Sequence, residues 1–418
     1  MSTSPQSPVV QRRWTLPTGV ALAGVAITFT SLNLAAGSLT PMLVEYRNQW
    51  NFAPQLLTLA FAVYAAGFLA AVLTVGSLSD HLGRRPVLLG ALVVQVVSNL
   101  LFLFAQNVDW VIAGRTVQGV AAGAATTAFT AALVEIAPAH RKGLGVILGS
   151  AGLTGGLGFG SLLAGVAIQL TPKANTVIFV VLTALTVLGF GVVALSPETV
   201  RRTPGALRSM IPRISFPAAT RAEFAASAPV VAAVWMLAGL SGGLAPSLVH
   251  SVFHIDSGLM NGVAGFVPQT ASFLIGFALG RVDSRRAMTI GIYASVVGAA
   301  GILTGVLAGS LAVMIIGQAL AGIGFGASFT AALALVFPLA APHQRAGVVG
   351  AVYLIAYVGL GVPVVIAGQL TAALGEIPTV TWYTGAAILL SLISLVGQQR
   401  IKRATRRAVP THRVHAAA

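Results

Sequence analysis

The chain has 418 residues, 56% of them hydrophobic and only 8% charged, with a mean hydropathy of +0.90. An ordinary soluble domain carries about 25% charged residues, so this composition excludes that class and points to a membrane protein. The chain has no cysteine, which excludes disulfides, thiolate metal sites and cysteine nucleophiles together.

Twelve apolar runs follow one another, approximately over 17–44, 54–78, 87–106, 110–136, 143–170, 175–195, 227–249, 259–280, 288–308, 311–338, 347–374 and 378–397. A hydrocarbon core about 30 Å thick needs roughly 20 residues of helix at 1.5 Å each. Most runs lack the alternation of outer-membrane strands, so helices are the spanning solution and the expected fold is all-α. The first run continues far past the length of a signal-peptide core, so we expect it to remain as a span.

The formal charge of +15 is explained by topology rather than by nucleic acid. With a cytoplasmic N-terminus, twenty-one of the twenty-four basic residues fall inside. They are Arg12 and Arg13, Arg84 and Arg85, Arg141 and Lys142, five arginines from Arg201 to Arg221, Arg281, Arg285 and Arg286, Arg345, and six residues from Arg400 to Arg413. Outside lie only Arg47 and Lys173, with Arg115 inside the bilayer. This bias follows the positive-inside rule and puts both termini in the cytoplasm of a multi-pass protein of the cell membrane.

The chain also repeats itself. A shift of 203 residues lays Gly119 and Gly123 on Gly322 and Gly326, Asp80 on Asp283, and GLGFGSLLAG (156–165) on GLGVPVVIAG (359–368). The expected architecture is two pseudo-symmetric six-helix bundles over 1–196 and 226–398, an arginine- and proline-rich cytoplasmic linker over 197–225, and a basic tail over 399–418. Repeated bundles around a midplane site are a design of secondary transporters.

Between the second and third runs stands GSLSDHLGRR (76–85). It resembles the GxLxDxxGRR pattern of the major facilitator superfamily at Gly76, Leu78, Asp80, Gly83, Arg84 and Arg85. RTVQGVAAGAA (115–125) resembles the fourth-helix motif of that family, and EIAPAHRKG (135–143) its exit from that helix. The resemblance covers the whole chain, is nearest the drug and metabolite efflux branch, and implies alternating access. The second-half copy, GRVDSRR (280–286), is eroded and two residues shorter, so its arginines need not dock as those of the first half do. Drug and proton antiporters of the family carry Gly-Pro in helix five, where this chain has Gly158-Phe159.

Asp80 ends helix two and is placed to accept hydrogen bonds from the start of a neighbouring helix, while Gly83 permits the reversal into helix three. Asp80, Arg84, Arg85, Glu135 and Arg141 form the expected charge network of the inner gate, which by resemblance serves the conformational switch. Arg115 lies among apolar residues and is expected to face water or the bundle interior beside Gln118. Resemblance gives it a role in coupling or helix orientation; an anionic substrate group, or backbone carbonyls with Asn33, are its other partners. The expected cavity lining is Asn33, Tyr64, Arg115, Gln118, Trp235, Gln269, Gln318, Phe325, Tyr353 and Tyr357, a set of aromatics and amides suited to an amphipathic or hydrophobic small molecule. Gly145, Gly149, Gly152, Gly156 and Gly160 make one smooth helix face along which helices can approach and slide, and Pro363 is placed to bend helix eleven.

No acid lies in the middle of any run; the candidate proton-sensitive group is an outer pair, Glu45 with His250, whose pairing in an inward-facing state would depend on pH because histidine titrates near neutrality, the alternative being two solvated loop residues. The reading is a monomeric secondary transporter in the lipid bilayer, exporting a small-molecule substrate with protons as coupling ion and needing no cofactor or metal. Uptake of a sugar or organic anion by symport or uniport, and a non-transporting sensor or scaffold, stay open. An enzyme reading from GLSG (239–242), the nucleophile pattern of intramembrane serine proteases, has only His250 nearby as base, about 13 Å along the same helix. No phosphate-binding loop or metalloprotease pattern is present.

Overall fold

A computed structural model describes residues 15–408 except 213, 280, 281, 342 and 343, with side chains as far as residue 404. Arg12, Arg13, Arg213, Arg281 and the tail beyond residue 408 lie outside the described residues. Twelve long helices follow in order: α1 (Thr18–Trp50), α2 (Pro54–Thr74), α3 (Arg84–Leu103), α4 (Val108–Ile136), α5 (Ala139–Leu170), α6 (Ala174–Leu195), α7 (Arg221–Gly243), α8 (Gly258–Ala278), α9 (Ser284–Leu307), α10 (Leu311–Val336), α11 (Arg345–Leu374) and α12 (Glu376–Ala408). No strand occurs among the described residues.

Local chemistry sets the starts. Pro54 opens α2, where a missing N–H costs nothing. Asn107, Ser257, Asp283 and Ser310 cap α4, α8, α9 and α10 by accepting backbone N–H groups of the first turn. Eleven of the twelve helices are long and apolar enough to cross a membrane. The exception, α8, has 21 residues but is diluted by Asn261, Pro268 and Gln269. Helix α5 is built from Lys142–Ser150, a π-helical turn over Ala151–Gly155, and Gly156–Leu170. The π turn supplies the mid-span irregularity that Gly158-Phe159, lacking proline, does not.

In the first bundle α4 packs on α2 and α3, α1 on α5 and α6, and α3 on α6; in the second, α10 packs on α8 and α9, α7 on α11 and α12, and α9 on α12. Val97, Leu188, Val297 and Leu389, on α3, α6, α9 and α12, are exposed. Apolar side chains of this size on an outer face belong against lipid tails rather than water. Contact between the bundles runs chiefly through α2 with α11 and α5 with α8.

That contact is tightest at the end opposite the arginine-rich loops, hereafter the far end, and along α2 and α11 it continues to Phe68 and Tyr357 midway down the bundles. A Cβ added to Gly262 would lie 2.8 Å from the Ser161 carbonyl oxygen and 3.0 Å from Gly165 Cα, so α5 and α8 touch backbone to backbone. The Ser161 hydroxyl donates to the Gly262 carbonyl at 3.0 Å, and Ser257 Oγ lies 3.1 Å from Gln169 Oε1. The Thr58 side chain of α2 presses closer still on Gly368 of α11. The glycine face read from the sequence has another use: Gly145 and Gly149 meet Leu133 and Thr130 of α4, and Gly152, Gly156 and Gly160 meet Phe29, Asn33 and Leu34 of α1. It seals α5 inside its own bundle, while Gly158, Ser161 and Gly165 face the other one. Pro363 lies inside α11, which runs unbroken as one helix.

Candidate functional site

Between the bundles lies a cavity of about 1030 Å³, walled by α1, α2, α4, α5, α7, α8, α10 and α11. It extends to Glu135 and Phe337 at the basic end and stops beneath the α5–α8 seam at the far end. Aromatic rings from both bundles make its wall. Phe68 stacks on Tyr357 at 4.3 Å between centroids; Tyr357 meets Trp235 at 4.6 Å; Trp235 meets Phe325 at 5.1 Å and Phe329 at 5.4 Å. Trp235 Nε1 and Ser241 Oγ are buried in this wall without a hydrogen-bond partner.

Arg115 belongs to the same wall although its residue is only 2% exposed. Its Nε–H donates to the Ala60 carbonyl at 3.3 Å and its Nη1 to Gln118 Oε1 at 2.7 Å. The guanidinium carbon lies over the Tyr64 ring, 4.2 Å from its centroid, and 5.4 Å from that of Phe61. Ring faces and neutral oxygens therefore hold the charge where no carboxylate does.

At the basic end Arg84 joins three elements. Its Nη1 meets Asp80 Oδ1 at 2.5 Å, its Nη2 meets Glu135 Oε1 at 2.9 Å, and its Nη1 also donates to Ser79 Oγ at 2.7 Å. Thr199 Oγ1 donates to the second oxygen of Glu135 at 2.5 Å. Asp80 does not cap a neighbouring helix as expected. Glu198 does, accepting Arg84 N at 2.9 Å and Arg85 N at 3.1 Å at the start of α3, where a carboxylate also meets the positive end of the helix dipole. Gly83 has φ +100, and Glu198 occupies the space its Cβ would need; only glycine fits both demands. Gly76 closes against the Val72 carbonyl. Arg85 and Arg141, expected in the network, form no side-chain ion pair among the described residues; Lys142 instead caps α4, donating to the carbonyls of Val134, Glu135 and Ala137. The second-half copy docks elsewhere: Arg285 pairs with Glu223 of α7 and donates to Gln398 of α12 at 3.3 Å.

A family model described as Major Facilitator Superfamily matches residues 21–256. The chain belongs to the major facilitator superfamily. A second model, PUCC protein, matches residues 296–416. Among curated relatives, the probable glucose transporter rco-3 of Neurospora crassa is 34% identical over 164 residues, covering 38% of this chain and 27% of that protein. The multidrug resistance protein MdtL of Salmonella paratyphi A is 34% identical over 92 residues, 22% of this chain and 23% of the relative. The chain thus spans about a quarter of the length of the curated relatives it matches. Among solved structures, the POT family transporter PepTSo superposes with a TM-score of 0.73 at 10% identity, over 92% of this chain and 98% of that one. The human organic anion transporter MFSD10 (TETRAN) gives 0.64 at 18% identity, over 93% and 100%. These likenesses show the twelve-helix major facilitator fold, and the matched proteins are transporters, not enzymes.

In this member of the superfamily, Tyr64, Arg115, Trp235, Gln269, Phe325, Tyr353 and Tyr357 line the cavity, whereas Asn33, Gln118 and Gln318 do not. Asn33 Nδ2 donates back to the Phe29 carbonyl of its own helix rather than serving Arg115, and Gln118 is spent on Arg115. Gln318 is fully buried, its amide without a partner. Glu45 and His250 do not pair. His250 Nδ1 meets the Asp256 carboxylate, which the turn after the helix brings round, and so it serves neither Glu45 nor Ser241. Residues missed in the sequence are Phe61, Phe68, Phe329 and Ser241 in the cavity and Glu198 with Thr199 in the charge network. The acid three residues past the sixth apolar run was the one available signal for the last pair.

Proposed function

We propose that this major facilitator exports a small amphipathic or hydrophobic organic molecule by alternating access, and that the pose described opens to the cytoplasm. The single observation carrying this is the aromatic cavity of about 1030 Å³, reached from the basic end and sealed by the glycine seam at the other. A volume of that order suits a drug-sized ligand, whose apolar body gains by leaving water. The positive-inside rule supports a cytoplasmic basic end and cytoplasmic termini. The aligned stretch of a multidrug resistance protein favours efflux. Proton coupling is the second half of the reading. The Glu45–His250 pair offers no route in this pose, and among the described residues the one acid facing the cavity is Glu135, so a coupling proton acts there or travels on the substrate.

Reconstitution into proteoliposomes tests this. Preloaded lipophilic organic compounds should leave faster from vesicles containing the protein, and an imposed pH gradient should change the rate. Failure to move any such compound in either direction would support the sensor or scaffold reading; movement of sugars alone would support the reading favoured by the aligned glucose transporter.

A further inference from the structure

Among the described residues Arg115 is the one cation in the cavity wall, and the nine acids of the chain leave it unmatched: the ion pairs engage Asp80, Glu135, Glu223 and Asp256 with other partners. Glu135, the one acid in that wall, is held by Arg84 at the mouth. Of the five N–H groups a guanidinium carries, Ala60 and Gln118 accept two, so the rest have no protein acceptor among the described residues. The Tyr64 ring covers one side of the group, and the N–H groups without a protein acceptor are left for a ligand. Two more donors wait in the same wall. Trp235 Nε1–H can only donate, and it and Ser241 Oγ are buried without a partner. Phe61 links these features: its ring lies near Arg115 on one side and packs on Gly242, next to Ser241, on the other.

An aromatic box by itself attracts cations. A buried guanidinium in its wall reverses that preference, because a cationic ligand would meet uncompensated like charge in a medium of low dielectric. We infer that the cavity takes an aromatic monocarboxylate, its carboxylate on the Arg115 edge and its ring against Trp235, Phe68 and Tyr357. A single guanidinium with neutral donors matches one negative charge; a dianion would leave one charge unpaired. This deepens the transport reading above and rests on it.

The test is calorimetric titration of the purified full chain with 2-naphthoate, methyl 2-naphthoate and 2-naphthylmethylammonium, which share a ring system and differ in charge. The carboxylate should bind on the order of tenfold more tightly than the ester, since a charge-assisted hydrogen bond replaces a neutral one, and the ammonium should not bind. Arg115→Lys should keep the ranking, and Arg115→Gln should equalise acid and ester. If the glutamine variant does not fold, the ranking on the unmodified chain and on Arg115→Lys decides. Equal binding of acid and ester by the unmodified chain, or preference for the ammonium, overturns the carboxylate assignment and leaves the transport reading intact. Binding of none of the three overturns both.

Discussion

Arg84 shows how unevenly one ion network spreads its strength. Its side chain is 13% exposed, against 32% for Glu135 and 58% for Asp80. Glu135 accepts both Nε–H and Nη2–H, so Glu135→Gln leaves a half-buried guanidinium short of its main counter-charge, at a cost of about 1–3 kcal/mol. Asp80→Asn touches a solvated pair and should cost less than about 1 kcal/mol. Thermal unfolding in detergent should therefore shift clearly for Glu135→Gln and hardly for Asp80→Asn; equal shifts would mean that exposure does not rank the two. Asp80→Asn should still slow transport at normal expression, because its second oxygen has no partner among the described residues and can meet the other bundle when the mouth shuts. Unaltered rates in that variant would remove Asp80 from the switch. The motif announced Asp80, Gly83 and Arg84 in the sequence. It did not announce Glu198, since a lone acid in a polar connecting stretch looks the same whether it is solvated or caps a helix.

At the level of the helix, hydropathy told where each span lies but not what each glycine touches. A stripe at spacings of three and four defines a face, and α5 has neighbours on several faces at once, so the stripe facing α1 and α4 and the row facing α8 look alike as strings. Gly262 tests the distinction. Valine there would collide with the Ser161 carbonyl oxygen and should wedge the far end open. With no native cysteine, a single reporter, Ser272→Cys in the cavity wall, can be alkylated from the far side by a membrane-impermeant maleimide. Labelling should accelerate on the order of tenfold in Gly262→Val if the wedge shifts the two poses by about 1.4 kcal/mol. Unchanged labelling would mean that the seam is not a gate. The π turn of α5 was illegible for a related reason: GLTG differs little from its helical surroundings, and the extra backbone residue is decided by packing.

For the whole molecule, the internal repeat made two bundles readable, whereas the pose was not, because one sequence must serve both poses and they differ by a few kcal/mol at most. Locking one of them tests the rocking motion. Gln169→Cys with Ser257→Cys, placed where the native side chains lie 3.1 Å apart, should stop transport when oxidised and restore it when reduced. Full transport by the oxidised form would show that α5 and α8 need not part. The segment joining the bundles sets a limit on the opposite excursion. Its residue Ser209 is held to the first bundle by the Ser77 hydroxyl, and Ser215 to the second by the Gly347 carbonyl. Six residues of fully extended chain reach about 20 Å at 3.3–3.6 Å each. While both anchors hold, that length is a leash on the vestibule at the basic end, and a bulkier cargo gains entry only by unfastening one of them.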